Sequence, residues 1–300
     1  MGMFDDCFWI PNASAAVASP TDPIKQIALG YYDSDAASGQ FVERVWAVNT
    51  WNEVFRFNPV PQGGVQGFQR VAGELAQLAV GPQAIPFPTS GLGRHPFSMA
   101  NIWGVNQAGA VYRRSFDGTD NSWELIPGPA GGYLMAEVAV GEHSTWGLVR
   151  DGRLYQWAGV AHRNQWNFAG NPIVLRSIAV AGETVWALTY FGAPCRISEG
   201  PVFDITYLGG NLVRISASTT GVCGVNAAGE VCVWTGAPDD IGDHWERVPS
   251  SGAPGDPHER IALAFTHVSI GTPGPGHVGD LPRIWAIDVG GSVWQLTRLN

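Results

Sequence analysis

Six short apolar words recur along the chain, and they constrain the fold more than any other feature. Val45-Trp46-Ala47-Val48-Asn49 is followed by Val54-Phe55-Arg56, and Ile102-Trp103-Gly104-Val105-Asn106 by Val111-Tyr112-Arg113. Thr145-Trp146-Gly147-Leu148 precedes Leu154-Tyr155-Gln156, and Val185-Trp186-Ala187-Leu188 precedes Pro194-Cys195-Arg196. Val222-Cys223-Gly224-Val225-Asn226 precedes Val231-Cys232-Val233, and Ile284-Trp285-Ala286-Ile287-Asp288 precedes Val293-Trp294-Gln295. In every copy the two anchors, such as Trp46 and Phe55, stand nine residues apart. Self-similarity of this kind marks a repeat architecture, in which each unit buries its faces against its neighbours.

Each word alternates large and small residues, the period of a β-strand. Turn chemistry, clearest at Asn226-Ala227-Ala228-Gly229, joins two such strands. Counting outward from that turn predicts Val225 opposite Glu230, Gly224 opposite Val231 and Cys223 opposite Cys232. The same count predicts Trp46 opposite Phe55, Trp103 opposite Tyr112, Trp146 opposite Tyr155, Trp186 opposite Cys195 and Trp285 opposite Trp294. Cross-strand pairs contribute roughly 0.2–1 kcal/mol each, so these read first as packing devices. Cys223 opposite Cys232 leaves a cross-strand disulfide open, with two free thiols expected in a reducing cell.

A further strand precedes each pair: Ile27-Ala28-Leu29-Gly30, Leu78-Ala79-Val80-Gly81, Val138-Ala139-Val140-Gly141, Ile178-Ala179-Val180-Ala181, the weaker Ile215-Ser216-Ala217, and Val268-Ser269-Ile270-Gly271. A fourth follows most pairs, best seen at Phe68-Gln69-Arg70-Val71, Trp123-Glu124-Leu125-Ile126 and Trp245-Glu246-Arg247-Val248. The expected fold class is therefore all-β: a six-bladed β-propeller of four-stranded blades. The last unit runs out of chain after its third strand. Phe8-Trp9-Ile10-Pro11 resembles Trp123-Glu124-Leu125-Ile126-Pro127, so the N-terminal strand is expected to close the ring as the outer strand of the last blade. The single domain, 1–300, divides into blades at about 24–73, 75–128, 135–170, 173–208, 212–249, and 259–300 plus 7–11.

Composition fits this reading. The 300 residues include 39 Gly, 21 Pro and 13 Trp with only 14% charged, the balance of short strands joined by turns. The net charge is −9 and Lys25 is the only lysine, which disfavours nucleic acid and anionic membranes as partners. No apolar run approaches 18 residues, so no membrane insertion is expected. Residues 1–11 carry Asp5 and Asp6 and no basic residue, unlike a signal peptide. That points to a cytoplasmic protein or one released without a signal peptide. The four cysteines form no CxxC pair, so neither a zinc site nor a disulfide scaffold is expected.

First anchors at 46, 103, 146, 186, 223 and 285 are separated by 57, 43, 40, 37 and 62 residues. The long gaps come from insertions between first and second strands: Tyr31 to Arg44, Pro82 to Asn101, and Thr272 to Arg283. Blades 6, 1 and 2 are consecutive in a closed ring, so one face is expected to carry a raised arc. Its candidates for function are Tyr31, Tyr32, His95 and His277. The plainer alternative has these loops covering apolar surface or joining copies in a homo-oligomer. The opposite face carries the tight turns, among them Trp51, a sugar-stacking platform or a packing residue.

Trp103-Gly104-Val105-Asn106-Gln107-Ala108-Gly109-Ala110-Val111-Tyr112-Arg113 resembles the central motif of tectonin repeats. Val222 to Cys232 does too, with Cys in both aromatic slots. The preceding Ala-Val-Gly and the following Trp-x-x-Ile-Pro complete a tectonin-like unit over nearly the whole chain. Units 4 and 5 depart from the pattern through Pro and Cys, which leaves open whether they keep a ligand site. The resemblance implies a non-enzymatic lectin; relatives bind carbohydrate, some preferring O-methylated sugars, in defence. Val140 to Trp157 also looks like a repeat of the regulator-of-chromosome-condensation type, a family of interaction scaffolds. Its Gly-x-His signature occurs in unit 3 alone.

No GxSxG, P-loop, HExxH or complete calcium loop is present, so no catalytic residue, metal site or cofactor is expected. Glycan recognition needs an aromatic face and fixed polar groups. The recurring candidates are Asn49, Asn106 and Asn226, then Arg56, Arg113 and Arg196 with Gln156 and Gln295, and Trp51. Asx turns are the plainer account of the asparagines, and interblade hydrogen bonds of the arginines. The expected partner is a surface glycan bound at several similar sites. The alternative is a protein partner held by the arc of blades 6, 1 and 2.

Overall fold

The computed structural model describes residues 7–11, 23–35, 40–58, 67–85, 99–114, 122–141, 144–158, 165–170, 172–182, 184–198, 204–237, 240–250, 263–271 and 283–298. The first strand is β1 (Cys7–Pro11). Blade 1 follows as β2 (Ile24–Asp35), β3 (Gln40–Asn49), β4 (Glu53–Asn58) and β5 (Gly67–Glu74). Blade 2 is β6 (Gln77–Ile85), β7 (Met99–Val105), β8 (Val111–Arg114) and β9 (Trp123–Ile126). Blade 3 is β10 (Met135–Val140), β11 (Thr145–Val149), β12 (Leu154–Trp157) and β13 (Trp166–Phe168). Blade 4 is β14 (Leu175–Ala181), β15 (Thr184–Thr189), β16 (Pro194–Ser198) and β17 (Asp204–Tyr207). Blade 5 is β18 (Arg214–Ser218), β19 (Gly221–Val225), β20 (Val231–Trp234) and β21 (Trp245–Arg247). Blade 6 is β22 (Phe265–Gly271), β23 (Arg283–Asp288) and β24 (Val293–Arg298), completed by β1 in the order β1-β24-β23-β22. The six sheets are antiparallel, and their innermost strands meet in the cyclic order β2, β6, β10, β14, β18, β22. This is a six-bladed β-propeller.

One turn organises every blade. In blade 5 the Asn226 N–H donates to the Glu230 carbonyl and the Gly229 N–H to the Asn226 carbonyl, both at 3.0 Å. Three residues therefore lie between the last paired positions, and the third has left-handed backbone: Gly229 at φ +80°. This is the three-residue hairpin with a glycine bulge. The other blades repeat it, with Gly109, Gly152, Gly192 and Gly291 at the left-handed position. In blade 1 Asn52 takes it at φ 68°, the one non-glycine side chain with positive φ among the described residues.

The odd loop corrects the pairing expected from sequence by one residue. Val225 faces Val231, Gly224 faces Cys232 and Cys223 faces Val233. Trp46 faces Arg56, Trp103 faces Arg113, Trp146 faces Gln156, Trp186 faces Arg196 and Trp285 faces Gln295. A one-residue slip exchanges the two faces of a strand. The anchor residues Phe55, Tyr112, Tyr155, Cys195, Cys232 and Trp294 consequently sit opposite Ala47, Gly104, Gly147, Ala187, Gly224 and Ala286. Large faces small, and the chain entering the same blade fills the space over the small residue: a Cβ on Gly104 would lie 2.4 Å from Leu75 Cδ1 and 2.9 Å from the Gln77 carbonyl oxygen. Cys223 and Cys232 are not an opposed pair, and both are buried free thiols.

The cores lie between blades. Trp46 packs with Leu75, Leu78 and Ile102 of blade 2, and Trp103 with Met135, Val138 and Trp166 of blade 3. Trp146 packs onto blade 4, Trp186 onto blade 5, Cys223 onto blade 6 and Trp285 onto blade 1. The outer-strand tryptophans add a second tie. Trp123 donates its indole N–H to the Ala72 carbonyl, Trp166 to Pro127, Trp245 to Gly209 and Trp9 to Pro249, at 2.7–3.0 Å. Each acceptor belongs to the segment leaving the preceding blade. The expected closure by the N-terminal strand is what the structure has: Trp9 faces Leu296 and is fully buried, its ring centroid 4.6 Å from that of Phe265.

The insertion of blade 1 differs from the expected loop. It prolongs the hairpin of β2 and β3, with Tyr31 paired to Glu43, Tyr32 to Val42 and Asp35 to Gln40. Continuing the ladder satisfies the backbone of these residues without a separate core. In blade 2 the pairs Ala84–Ala100 and Ile85–Met99 prolong β6 and β7 in the same way. The third insertion, 272–282, lies outside the described residues.

Candidate functional site

Three places merit chemical scrutiny: the central channel, the row of Arg and Gln beside the second-strand tryptophans, and the face bearing the six turns.

The channel is lined by the inner strands of all six blades and holds about 80 Å³. That is room for a handful of waters, well short of a saccharide site. Its chemistry is structural. Gln26, Gln77, Glu137, Ser177, Arg214 and His267 occupy one register, each opposite the residue before its blade's turn. Gln26 Nε2 donates to the Leu78 carbonyl while Gln26 Oε1 accepts from the Leu78 N–H, both at 2.9 Å. Gln77 makes the same pair of hydrogen bonds with Val138, donating from Nε2 to its carbonyl at 2.8 Å and accepting from its N–H at 2.9 Å. An amide from one blade thus covers the open inner edge of the next. Glu137 stands third in this series. Its Oε2 accepts from the Ile178 N–H at 3.1 Å and its Oε1 from Ser177 Oγ at 3.3 Å. Burial raises its carboxyl to about 7, with the Arg214 guanidinium and these two hydrogen bonds opposing the rise. Burial, aided by Arg214, lowers His267 to about 3, and its Nδ1 has no hydrogen-bond partner among the described residues.

The Arg/Gln row follows from the corrected register. Arg113 lies 5.6 Å over the Trp103 ring and pairs with Glu124 at 2.6 Å. Arg56 faces Trp46, above which Arg114 is stacked at 5.0 Å. Arg196 faces Trp186, and one of its buried guanidinium nitrogens has no hydrogen-bond partner among the described residues. Gln156 and Gln295 are half-buried opposite Trp146 and Trp285. These five candidates lie in five different blades, and the structure does not gather them into one cavity.

The asparagine candidates sit in the turns. Asn49 Oδ1 accepts from the Trp51 and Glu53 N–H groups at 3.0 and 2.8 Å. Asn106 Oδ1 accepts from the Ala110 N–H at 2.9 Å, and Asn226 Oδ1 from the Ala228 and Glu230 N–H groups at 3.0 Å. These are Asx turns, which is why Asn, Asp or Thr recurs here. Thr189 and Asp288 accept equivalent bonds in blades 4 and 6. Trp51, at the tip of the blade 1 turn, is 69% exposed. Tyr190 and Phe191 form an exposed pair at the blade 4 turn. Tyr31 and Tyr32 lie in the hairpin extension of blade 1, while His95 and His277 lie outside the described residues.

A cavity of about 280 Å³ opens in blade 5, with Asn211, Asn226, Cys232, Asp243, Trp245 and Arg247 on its walls. The Arg247 guanidinium bonds Glu230 Oε1 at 3.1 Å, and Asn226 Nδ2 donates to Glu230 Oε2 at 2.7 Å. Blade 1 repeats this triad: Arg70 reaches Glu53 Oε1 at 2.8 Å, and Asn49 Nδ2 donates to Glu53 Oε2 at 2.8 Å. The glutamates and arginines were absent from the candidates drawn from sequence. The signal was there: Asn49, Glu53 and Arg70 have the same spacing as Asn226, Glu230 and Arg247.

Fold and site together define a class: a six-bladed propeller with polar and aromatic groups on the face that bears its turns. The Tectonin domain family matches residues 97–255, more than half of the chain, and the chain belongs to that family. No curated protein matches the sequence. Similar solved structures are YCF48 bound to D1 peptide, at 10% identity over 97% of this chain and 97% of that chain, TM-score 0.53. YCF48 from Cyanidioschyzon merolae is 10% identical over 96% and 98%, TM-score 0.51. Human WBSCR16 is 15% identical over 85% and 70%, TM-score 0.48. At these identities the likeness concerns the fold alone.

Proposed function

We propose that the protein is a non-enzymatic, multivalent carbohydrate-binding propeller that recognises surface glycans on its turn face. The observation that carries this reading is the blade 5 cavity in a chain of the Tectonin family. An indole, a guanidinium, a carboxylate and an amide surround a space of about 280 Å³, the mix of apolar face and fixed polar groups that a sugar requires. O-methylated sugars suit such a site because the methyl group adds apolar contact. Weak sites on one ring gain avidity on a dense glycan surface, roughly 10²–10⁴-fold where geometry permits simultaneous engagement. The test is an array of neutral and charged glycans, including O-methylated mannose and fucose, probed with labelled protein at two salt concentrations. Binding to a narrow sugar class that persists at high salt is expected. A blank array with folded protein refutes the reading.

A second reading is a scaffold for a protein partner. The prolonged hairpins of blades 1 and 2 favour it, since they raise two adjacent blades on one side of the ring. YCF48, which shares the fold, carries a bound peptide. This reading expects one stoichiometric partner, lost on shortening the hairpin of residues 77–105 while the ring stays folded.

A further inference from the structure

We infer that the ring carries two working saccharide sites, in blades 1 and 5, each built on an Asn–Glu–Arg triad, and that it binds a glycan surface divalently through one face. This rests on the carbohydrate reading and specifies where its sites lie.

The triads are not part of the hairpin's own requirements. All six blades make the same turn with the same register. At the position of Glu53 and Glu230 the others have Ala110, Arg153, Ala193 and Ser292. At the position of Arg70 and Arg247 they have Leu125, Phe168, Tyr207 and Pro11, set by the same outer-strand pairing. Four blades therefore hold the fold without a triad, and its presence in two needs another cause.

The chemistry suits a neutral sugar. Asn–Glu bonding orients the carboxylate, and the carboxylate orients the arginine. Arg70 and Arg247 are 63% and 69% exposed, so most of each guanidinium fork faces outward. A fork fixed on one side and open on the other presents parallel N–H donors to a pair of adjacent hydroxyls. An aromatic residue accompanies each triad. In blade 5 it is Trp245, kept in place by its bond to Gly209 and approached closely by Gly210, where a Cβ would lie 3.0 Å from Trp245 Cδ1. In blade 1 it is Trp51, whose backbone N–H is bound by Asn49 of the triad itself. Asp243 adds an acceptor in blade 5.

Blades 1 and 5 are separated by blade 6 alone, and both triads flank turns on the same side of the ring. Two such sites grip one glycan-coated surface and do not bridge two surfaces.

The experiment compares the full chain with Arg70→Ala, Arg247→Ala and the double variant. Each is read on the same neutral-glycan array and by titration calorimetry with the methyl glycoside of O-methylated mannose. Arg153→Ala, which breaks an exposed ion pair in blade 3, serves as the control. The wild-type chain should bind two sugars, each single variant one, and the double variant should lose at least tenfold in array signal at an unchanged melting temperature. Array binding undiminished in the double variant overturns the assignment while leaving the carbohydrate reading intact. A wild-type chain that binds nothing on the array overturns both.

Discussion

Glutamate 137 offers the sharpest test of how the blades are held together. It occupies the position at which Gln26 and Gln77 each bind the next blade with a donor and an acceptor. A carboxylate there supplies acceptors alone. Burial raises its pKa from 4.5 to about 7. The folded chain therefore holds this proton at pH values where the unfolded chain has released it. The corresponding stability is fully present below pH 4.5 and is lost as the pH rises through about 7. A pKa unit corresponds to 1.36 kcal/mol, so the difference amounts to about 3 kcal/mol at most. Glu137→Gln replaces the titrating group with the amide used by blades 1 and 2. With an unfolding entropy of about 0.6 kcal/mol/K for a chain of this length, the variant should melt about 5 °C above wild type at pH 8. At pH 4.5 the two should melt together. His267 acts on the opposite limb. Its pKa is lowered to about 3, so its contribution is complete above 6.5 and lost as the pH falls. That limb is common to both proteins and cancels in the comparison. Calorimetric melts of both chains from pH 4.5 to 8 provide the measurement. A melting difference that stays constant across this range refutes the reasoning.

Three other outcomes are expected. Trp9→Ala empties a fully buried site and leaves the Pro249 carbonyl without its donor, at a cost of about 3–5 kcal/mol, or a fall of about 5–8 °C in Tm; a shift under about 1 °C would contradict closure by the N-terminal strand. Gly229→Ala places a Cβ 3.0 Å from Ala264 Cβ at a residue with φ +80°, and should lose about 1–3 kcal/mol in urea titration; an unchanged midpoint would mean that the turn tolerates a side chain there. Burial pushes Cys232 up to about 11 and Cys195 up to about 12, so the thiols should resist a disulfide reagent in the native chain and all four should react once it is denatured; fewer than four in unreduced, denatured protein would reveal a disulfide.

Six units, four strands per unit and closure by Phe8-Trp9-Ile10 were legible because they rest on local period and local chemistry. Alternation is read within a few residues, and the nine-residue anchor spacing reports the turn between them. Residue spacing alone implies an even loop and a pairing one residue away from the one the chain adopts. Left-handed backbone at Gly229 and its equivalents makes the loop odd, a property of torsion angles that residue spacing does not carry. That single residue decides which side chains share a face, and so places Arg56, Arg113 and Arg196 beside tryptophans. The asparagines stood out in sequence because they recur, and they recur because each caps a turn. The triads are hard to read from sequence because Arg70 and Arg247 come from the outer strands, 17 residues beyond their glutamates, and meet them only when the third and fourth strands pair. The state of Glu137 lies furthest from the sequence. It depends on a ring of six blades that brings Ser177, Ile178 and Arg214 around one carboxyl, since only closure of the whole circle removes that group from water.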